Sequence, residues 1–315
     1  MVYPFRHALM IRSYQTRCWT EATMPIGEFR NDQARARFFT VYDDLFDRLW
    51  PASSVQFDVV TAFGATRVHR LGSGERTPFV LLPGSGGPSL MWHSYVGRLA
   101  ASRPVIAIDP VGEPGPSVQT RAIDNGDEWS AWLDEVLTAL DVGRAHLVGT
   151  SYGGWIALRH ALRSPDAVAS LALLDPGGFG KVSPKFIAWI IACGLASFTP
   201  GPIRHALARP LRNLALREDE VMPLVKASFG FRRKRILPTP FTADELERIT
   251  APTLVLLGGH SQLYDAREVA ATITAHMPHA VAEIIPEASH DLVLRHPDEL
   301  AARIVTFAAD TLSHP

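Results

Sequence analysis

The sequence predicts an α/β fold: a mostly parallel, eight-stranded sheet with helices on both faces and an inserted helical lid. Three observations predict it. Short apolar runs alternate with amphipathic helical stretches along most of the chain, the pattern of repeated βα units and hence of a parallel sheet. Runs such as "FVLL" are continuously apolar rather than alternating, as strands buried on both faces are. The alternation stops over residues 179–245, where helical pieces and several prolines occur without a convincing strand, and then resumes. The predicted organisation is an N-terminal extension with a helix (1–50), a core in two parts (51–178 and 246–315) and a lid (179–245).

Residues 1–27 show no clear period. The stretch 28–50, "EFRNDQARARFFTVYDDLFDRLW", has helical spacing and is stopped by Pro51. "VQFDVVT" and "ATRVHRL" read as a hairpin turning at Phe63-Gly64. Then come strand "FVLLP", a helix over about 92–101, strand "PVIAID" and the helix "EWSAWLDEVLTAL". Strand "AHLVG", helix "YGGWIALRHALR" and strand "VASLALLD" lead into the insertion. Beyond it, strand "PTLVLLG", helix "AREVAATITAHM", strand "AVAEIIP" and the helix "DELAARIVTFAADTL" close the chain.

Hydrophobic residues make up 47% of the 315 and charged residues 20%, enough apolar material for a large core. The net charge of −1 gives no general pull toward nucleic acid or an anionic membrane. The only cysteines, Cys18 and Cys193, form neither a disulfide framework nor a metal-site spacing. No signal-peptide core is expected in a beginning broken by Arg6, His7 and Arg12. The most apolar stretch, "FIAWIIACGLASF", is shorter than the roughly 20 residues needed to span a bilayer. A cytoplasmic protein without stable membrane insertion is the expectation.

"HLVGTSYGGW" places Gly149-Thr150-Ser151-Tyr152-Gly153 between a predicted strand and a predicted helix. This is G-x-S-x-G in the context that gives it meaning. The turn is so tight that the serine must take a strained backbone, with glycines at either side to avoid collisions. Ser151 is therefore the candidate nucleophile, at a helix N-terminus where developing negative charge is favoured.

The stretch "LVGTSYGGWIALRHALRSPDAVASLALLDP", with "VIAIDPVGEPGPS" before it, resembles the α/β-hydrolase superfamily in its esterase- and carboxylesterase-like branch. The resemblance covers about residues 55–312. It implies an oxyanion loop at "LLPGSGGPSLMW", where the backbone N–H groups of Ser85 and Tyr152 would pair. Pro83 stands where family members usually carry histidine, which implies an altered loop geometry. It implies His290, in "EASHDLVL", as the base, with Ser289 in place of the usual glycine. His260 and His296 are the nearest rivals. Asp109 matches a position that usually holds the following loop, a structural role.

The family pattern puts an acid three positions after "LVLLG", but that position is Ser261. Three readings stay open: Asp175 after the preceding strand, as in some lipases of the superfamily, Asp265 further along the loop, or no acid at all. A cap before Pro176 would equally account for an aspartate at 175.

In the lid, Phe179, Phe186, Trp189, Ile190 and Phe198 can line an apolar acyl pocket, though at helical spacing some are simply core. Between residues 181 and 235 eleven Lys/Arg face three Asp/Glu, densest in "GFRRKR". That is either a solvated face or a docking face for a carrier protein or an anionic substrate; no nucleic-acid module accompanies it. The expected activity is a serine hydrolase cleaving an ester, lactone or thioester of a small acyl substrate, with no metal or other cofactor implied. A non-hydrolytic enzyme of the same fold, running acyl transfer, elimination or cyclisation on the Ser-His pair, is the alternative. A non-catalytic binding protein is the third reading.

Overall fold

The computed structural model describes residues 26–234 and 236–311. The expectations placed on residues 1–25, Cys18 among them, and on Arg235 of the basic run lie outside the described residues.

Eight strands form one sheet: β1 (Val55–Thr61), β2 (Gly64–Leu71), β3 (Phe79–Leu82), β4 (Val105–Ile108), β5 (Ala145–Thr150), β6 (Val168–Leu174), β7 (Thr253–Gly258) and β8 (Ala280–Ile285). Their spatial order is β8-β7-β6-β5-β3-β4-β2-β1. The first hairpin is antiparallel and β2 meets β4 antiparallel; the remaining neighbours run parallel. A ninth strand of two residues, Val118–Gln119, adds to β2. It is too short to leave a sequence period. β3 to β7 are buried at every position, as their continuous apolar runs require.

The helix predicted from residue 28 begins later, as α1 (Asp32–Leu49). Asn31 takes the N-cap by accepting from Ala34 N–H, and Glu28–Phe29 instead pairs as a short antiparallel strand with Phe231–Arg232 of the insertion. Phe38, Tyr42 and Leu45 face inward from α1, so this helix packs on its own chain. α2 (His93–Ala100) and α10 (Pro297–Asp310) lie on the same sheet face. α3 (Gly126–Ala139), α4 (Tyr152–Arg163) and α9 (Ala266–His276) cover the other.

The interruption holds α5 (Pro184–Ser197), α6 (Gly201–Ala208), α7 (Met222–Ser228) and α8 (Ala243–Glu247). α5 is apolar around its whole circumference, yet only Phe186, Ala196 and Ser197 are buried. Among the described residues no helix is long and apolar enough to cross a membrane. The functional candidates all emerge from the C-terminal ends of β3, β5, β6, β7 and β8, the edge where ligands of parallel sheets bind.

Candidate active site

Strand register brings the first two groups together. Thr150, the last residue of β5, sits beside Leu174, the last of β6, and Leu174 sits beside Leu256 of β7. One residue further, Ser151 N–H donates to the Leu174 carbonyl (3.0 Å) and Asp175 N–H to the Leu256 carbonyl (2.8 Å). Both residues then leave the sheet in the left-handed region, Ser151 at φ 50° and Asp175 at φ 45°. Such backbone costs about 1–3 kcal/mol per residue and persists where the surroundings over-determine it.

Close packing shapes the serine turn. A Cβ on Gly153 would lie 2.2 Å from the Leu82 carbonyl oxygen, so α4 can approach β3 this closely only with glycine there. A Cβ added at Gly84 of the β3 loop would in turn come within 3.6 Å of Ser151 Cβ. Ser151 Oγ–H points to His290 Nε2 at 3.0 Å, and His290 Nδ1–H donates to Asp175 Oδ2 at 2.6 Å. Phe186 and Trp189 of α5 meet the His290 ring edge-on, with centroids 5.0 and 6.1 Å away.

The fully buried Asp175 carboxylate is surrounded by donors. Oδ1 accepts from Gly258 N–H (2.9 Å) and Tyr264 O–H (3.2 Å); Oδ2 accepts from Ser261 Oγ–H (2.6 Å) as well as His290. Four donors fill the acceptor sites of a carboxylate and offset the cost of taking its charge from water. Burial and the adjacent Asp175 charge push the Tyr264 phenol well above its ordinary range, so it stays a donor. Ser261 therefore stands where the family pattern places the acid, but serves the acid that has moved to β6. Asp265 is engaged elsewhere: it caps α9 by accepting from Arg267 and Glu268 N–H. Of the rival histidines, His296 sits exposed at the start of α10 and His260 is exposed as well.

Two brace residues escaped sequence reasoning. Glu113 Oε2 accepts from Gly86 N–H in the β3 loop at 2.7 Å and forms a 2.6 Å ion pair with Arg233 of the insertion. This pair supports the Gly-rich loop in the absence of the usual histidine at position 83. The only advance signal was a lone acid in "VGEPG" and the basic run. Asp109 binds the same loop from beneath, accepting from Ser89 N–H (2.6 Å) while paired with His69 (2.8 Å).

Three of the aromatic and apolar candidates lie elsewhere. Phe179 turns toward Phe241 and the α4 side of the core, with centroids 6.5 Å apart. Ile190 and Phe198 are exposed at 40% and 58% because they fall on the outer side of α5 and at its end. The basic run is not a free cationic face either: Arg232 pairs with Glu28, Arg233 with Glu113 and Lys234 with Asp124.

With this geometry in hand, comparison with known proteins is direct. Residues 79–303 match the alpha/beta hydrolase family. The chain belongs to that family. Carboxylesterase YbfK of Bacillus subtilis (strain 168) is 26% identical over 297 residues, covering 89% of this chain and 96% of the relative. A second carboxylesterase of that organism, nap, described as uncharacterized, is 26% identical over 280 residues, covering 86% and 92%. The crystal structure of naproxen esterase from Bacillus subtilis superposes with a TM-score of 0.78 at 24% identity, over 88% of this chain and 99% of that one. The chain is an α/β-fold hydrolase of the esterase-like branch.

Proposed function

We propose that this hydrolase cleaves carboxylic esters through an acyl-enzyme on Ser151. The observation that carries the reading is the continuous relay Ser151 Oγ–His290–Asp175, with links of 3.0 and 2.6 Å. The two carboxylesterase relatives, matched over nearly their whole length, support the same substrate class.

In this reading His290 Nε2 takes the Ser151 proton as Oγ attacks the ester carbonyl. Asp175 holds the imidazole in the tautomer that accepts at Nε2 and offsets the cation that forms. The tetrahedral oxyanion is received by the N–H groups of Ser85 and Tyr152, each worth about 3–4 kcal/mol in the transition state. The alcohol leaves with the proton from His290; a water activated by the same imidazole then frees the acid. Phe186 and Trp189, against the His290 ring, form the apolar wall for the acyl group, and the insertion 179–245 acts as the lid. Lactones and thioesters present the same carbonyl and belong to the substrate panel.

The test is hydrolysis of p-nitrophenyl butyrate with and without Ser151→Ala. A loss of at least about a thousandfold in kcat is expected, together with loss of fluorophosphonate labelling. Full activity in the variant overturns the proposal.

A further inference from the structure

We infer that a cavity beside the histidine loop, lined by none of Ser151, His290 and Asp175, binds a small molecule carrying a phosphate group. The cavity holds about 500 Å³ and lies between the segment after α6 and the loops after β7 and β8. Arg209, Arg212 and Arg217 reach it from one side, and Arg295 and His260 from the other; the one carboxylate in its wall is Glu287.

The pairing pattern sets these arginines apart. Arg204, Arg232, Arg233 and Lys234, in the same insertion, each have a carboxylate partner. Among the described residues, Arg209, Arg212, Arg217 and Arg295 have none, and Arg295 Nε is buried without a hydrogen-bond partner. Four guanidinium groups against one carboxylate leave a net charge of three in the cavity wall before His260 is counted. A single carboxylate would offset one of these, whereas a phosphomonoester brings about −1.5 to −2 at neutral pH. Its oxygens also match the guanidinium fork in the two-pronged manner an ammonium cannot. The volume exceeds what phosphate alone fills and falls in the ordinary range for small-molecule sites, with Ala208 and Leu214 offering an apolar wall to an organic body.

The cavity is joined to the relay through the chain. Ser289, in the cavity wall, donates from Oγ to the Arg212 carbonyl at 2.7 Å, and Asp291 accepts from Leu214 N–H. Residues 212 and 214 are thus stitched to both neighbours of His290, and a ligand bridging Arg212 and Arg295 would tighten that seam.

Calorimetric titration of the full chain with phenyl phosphate and with inorganic phosphate, at matched ionic strength, tests the site. Saturable binding of phenyl phosphate is expected, tighter than that of inorganic phosphate. Arg209→Ala/Arg217→Ala, at two exposed positions, should weaken it at least about tenfold, while Arg163→Ala, a surface arginine at the C-terminal end of α4 paired with Asp134, leaves it unchanged. Circular dichroism and melting curves check that the variants fold. No saturable binding at millimolar ligand, equal binding by the double variant, or equal loss in Arg163→Ala overturns the inference. Equal affinity for the two probes overturns the organic body. Heat of binding is read rather than turnover, so the result is independent of whether esters are the substrate.

Discussion

Asp175 reaches His290 from the end of β6, and Ser261 fills the place expected of the acid with a hydroxyl that binds Asp175 Oδ2. This predicts a specific kinetic pattern. Asp175→Asn keeps the shape but presents an amide that favours the wrong imidazole tautomer, so kcat for ester hydrolysis should fall about 10⁴-fold. Ser261→Asp alone sets a second carboxylate against a buried one and should lower the melting temperature. The double variant Asp175→Asn/Ser261→Asp removes that conflict and offers His290 a carboxylate from β7; its kcat should recover part of the loss. A double variant no faster than Asp175→Asn would mean that position 261 cannot reach the imidazole. Glu113 makes a second case at this scale. Glu113→Ala leaves the Gly86 N–H and the Arg233 guanidinium without their partner. Denaturant unfolding should show a loss of about 1–3 kcal/mol, and kcat should fall roughly tenfold with KM little changed if, as proposed, the loop presents the Ser85 N–H to the oxyanion.

The serine turn is an element that tolerates no added bulk. A Cβ at Gly153 would sit 2.2 Å from backbone in β3, whose position is held by parallel neighbours on both sides. Gly153→Ala should therefore yield little folded protein, as judged by circular dichroism. Gly97, exposed in α2, has nothing within 4 Å of an added Cβ. Gly97→Ala should raise stability by up to about 1 kcal/mol in the same unfolding assay. The two outcomes separate the conformational cost of a helical glycine from its use as a contact surface. The insertion shows the limits of reading a helix by hydropathy: α5 is apolar all round, so periodicity could not say which side carries Phe186 and Trp189 to His290 and which leaves Ile190 outside.

For the molecule as a whole, acid stability should depend on buried histidines. His146 lies within β5, where Nε2 meets an Arg103 N–H at 2.6 Å and Nδ1 meets Ser170 Oγ at 2.8 Å. Burial, followed by the charges of Arg103 and Arg144, lowers its pKa to about 3. The unfolded chain, with a histidine pKa of about 6.5, takes up a proton that the folded protein refuses. The stabilisation is complete above about pH 6.5 and declines as pH falls toward 3, by up to about 1.4 kcal/mol per unit. Burial lowers His93 and His160 as well, adding to the slope. Unfolding midpoints at pH 7, 6 and 5 should fall in that order, and His146→Asn should flatten the trend. A trend as steep in the variant would place the acid sensitivity elsewhere.

By itself the sequence determined the eight strands, their helical partners and the serine turn, because periodicity and turn chemistry are written in neighbouring residues. It also marked the missing acid at 261 without saying what replaced it. Only the tertiary structure decided that Asp175, 115 residues before His290, accepts from its Nδ1. It also decided that "FRRK" is spent on internal ion pairs while, among the described residues, Arg209, Arg212 and Arg217 have no carboxylate partner, and that α1 packs on its own chain. Each of these depends on strand order and register, which bring together residues about a hundred positions apart. No local spacing encodes that proximity; the packing of the sheet creates it.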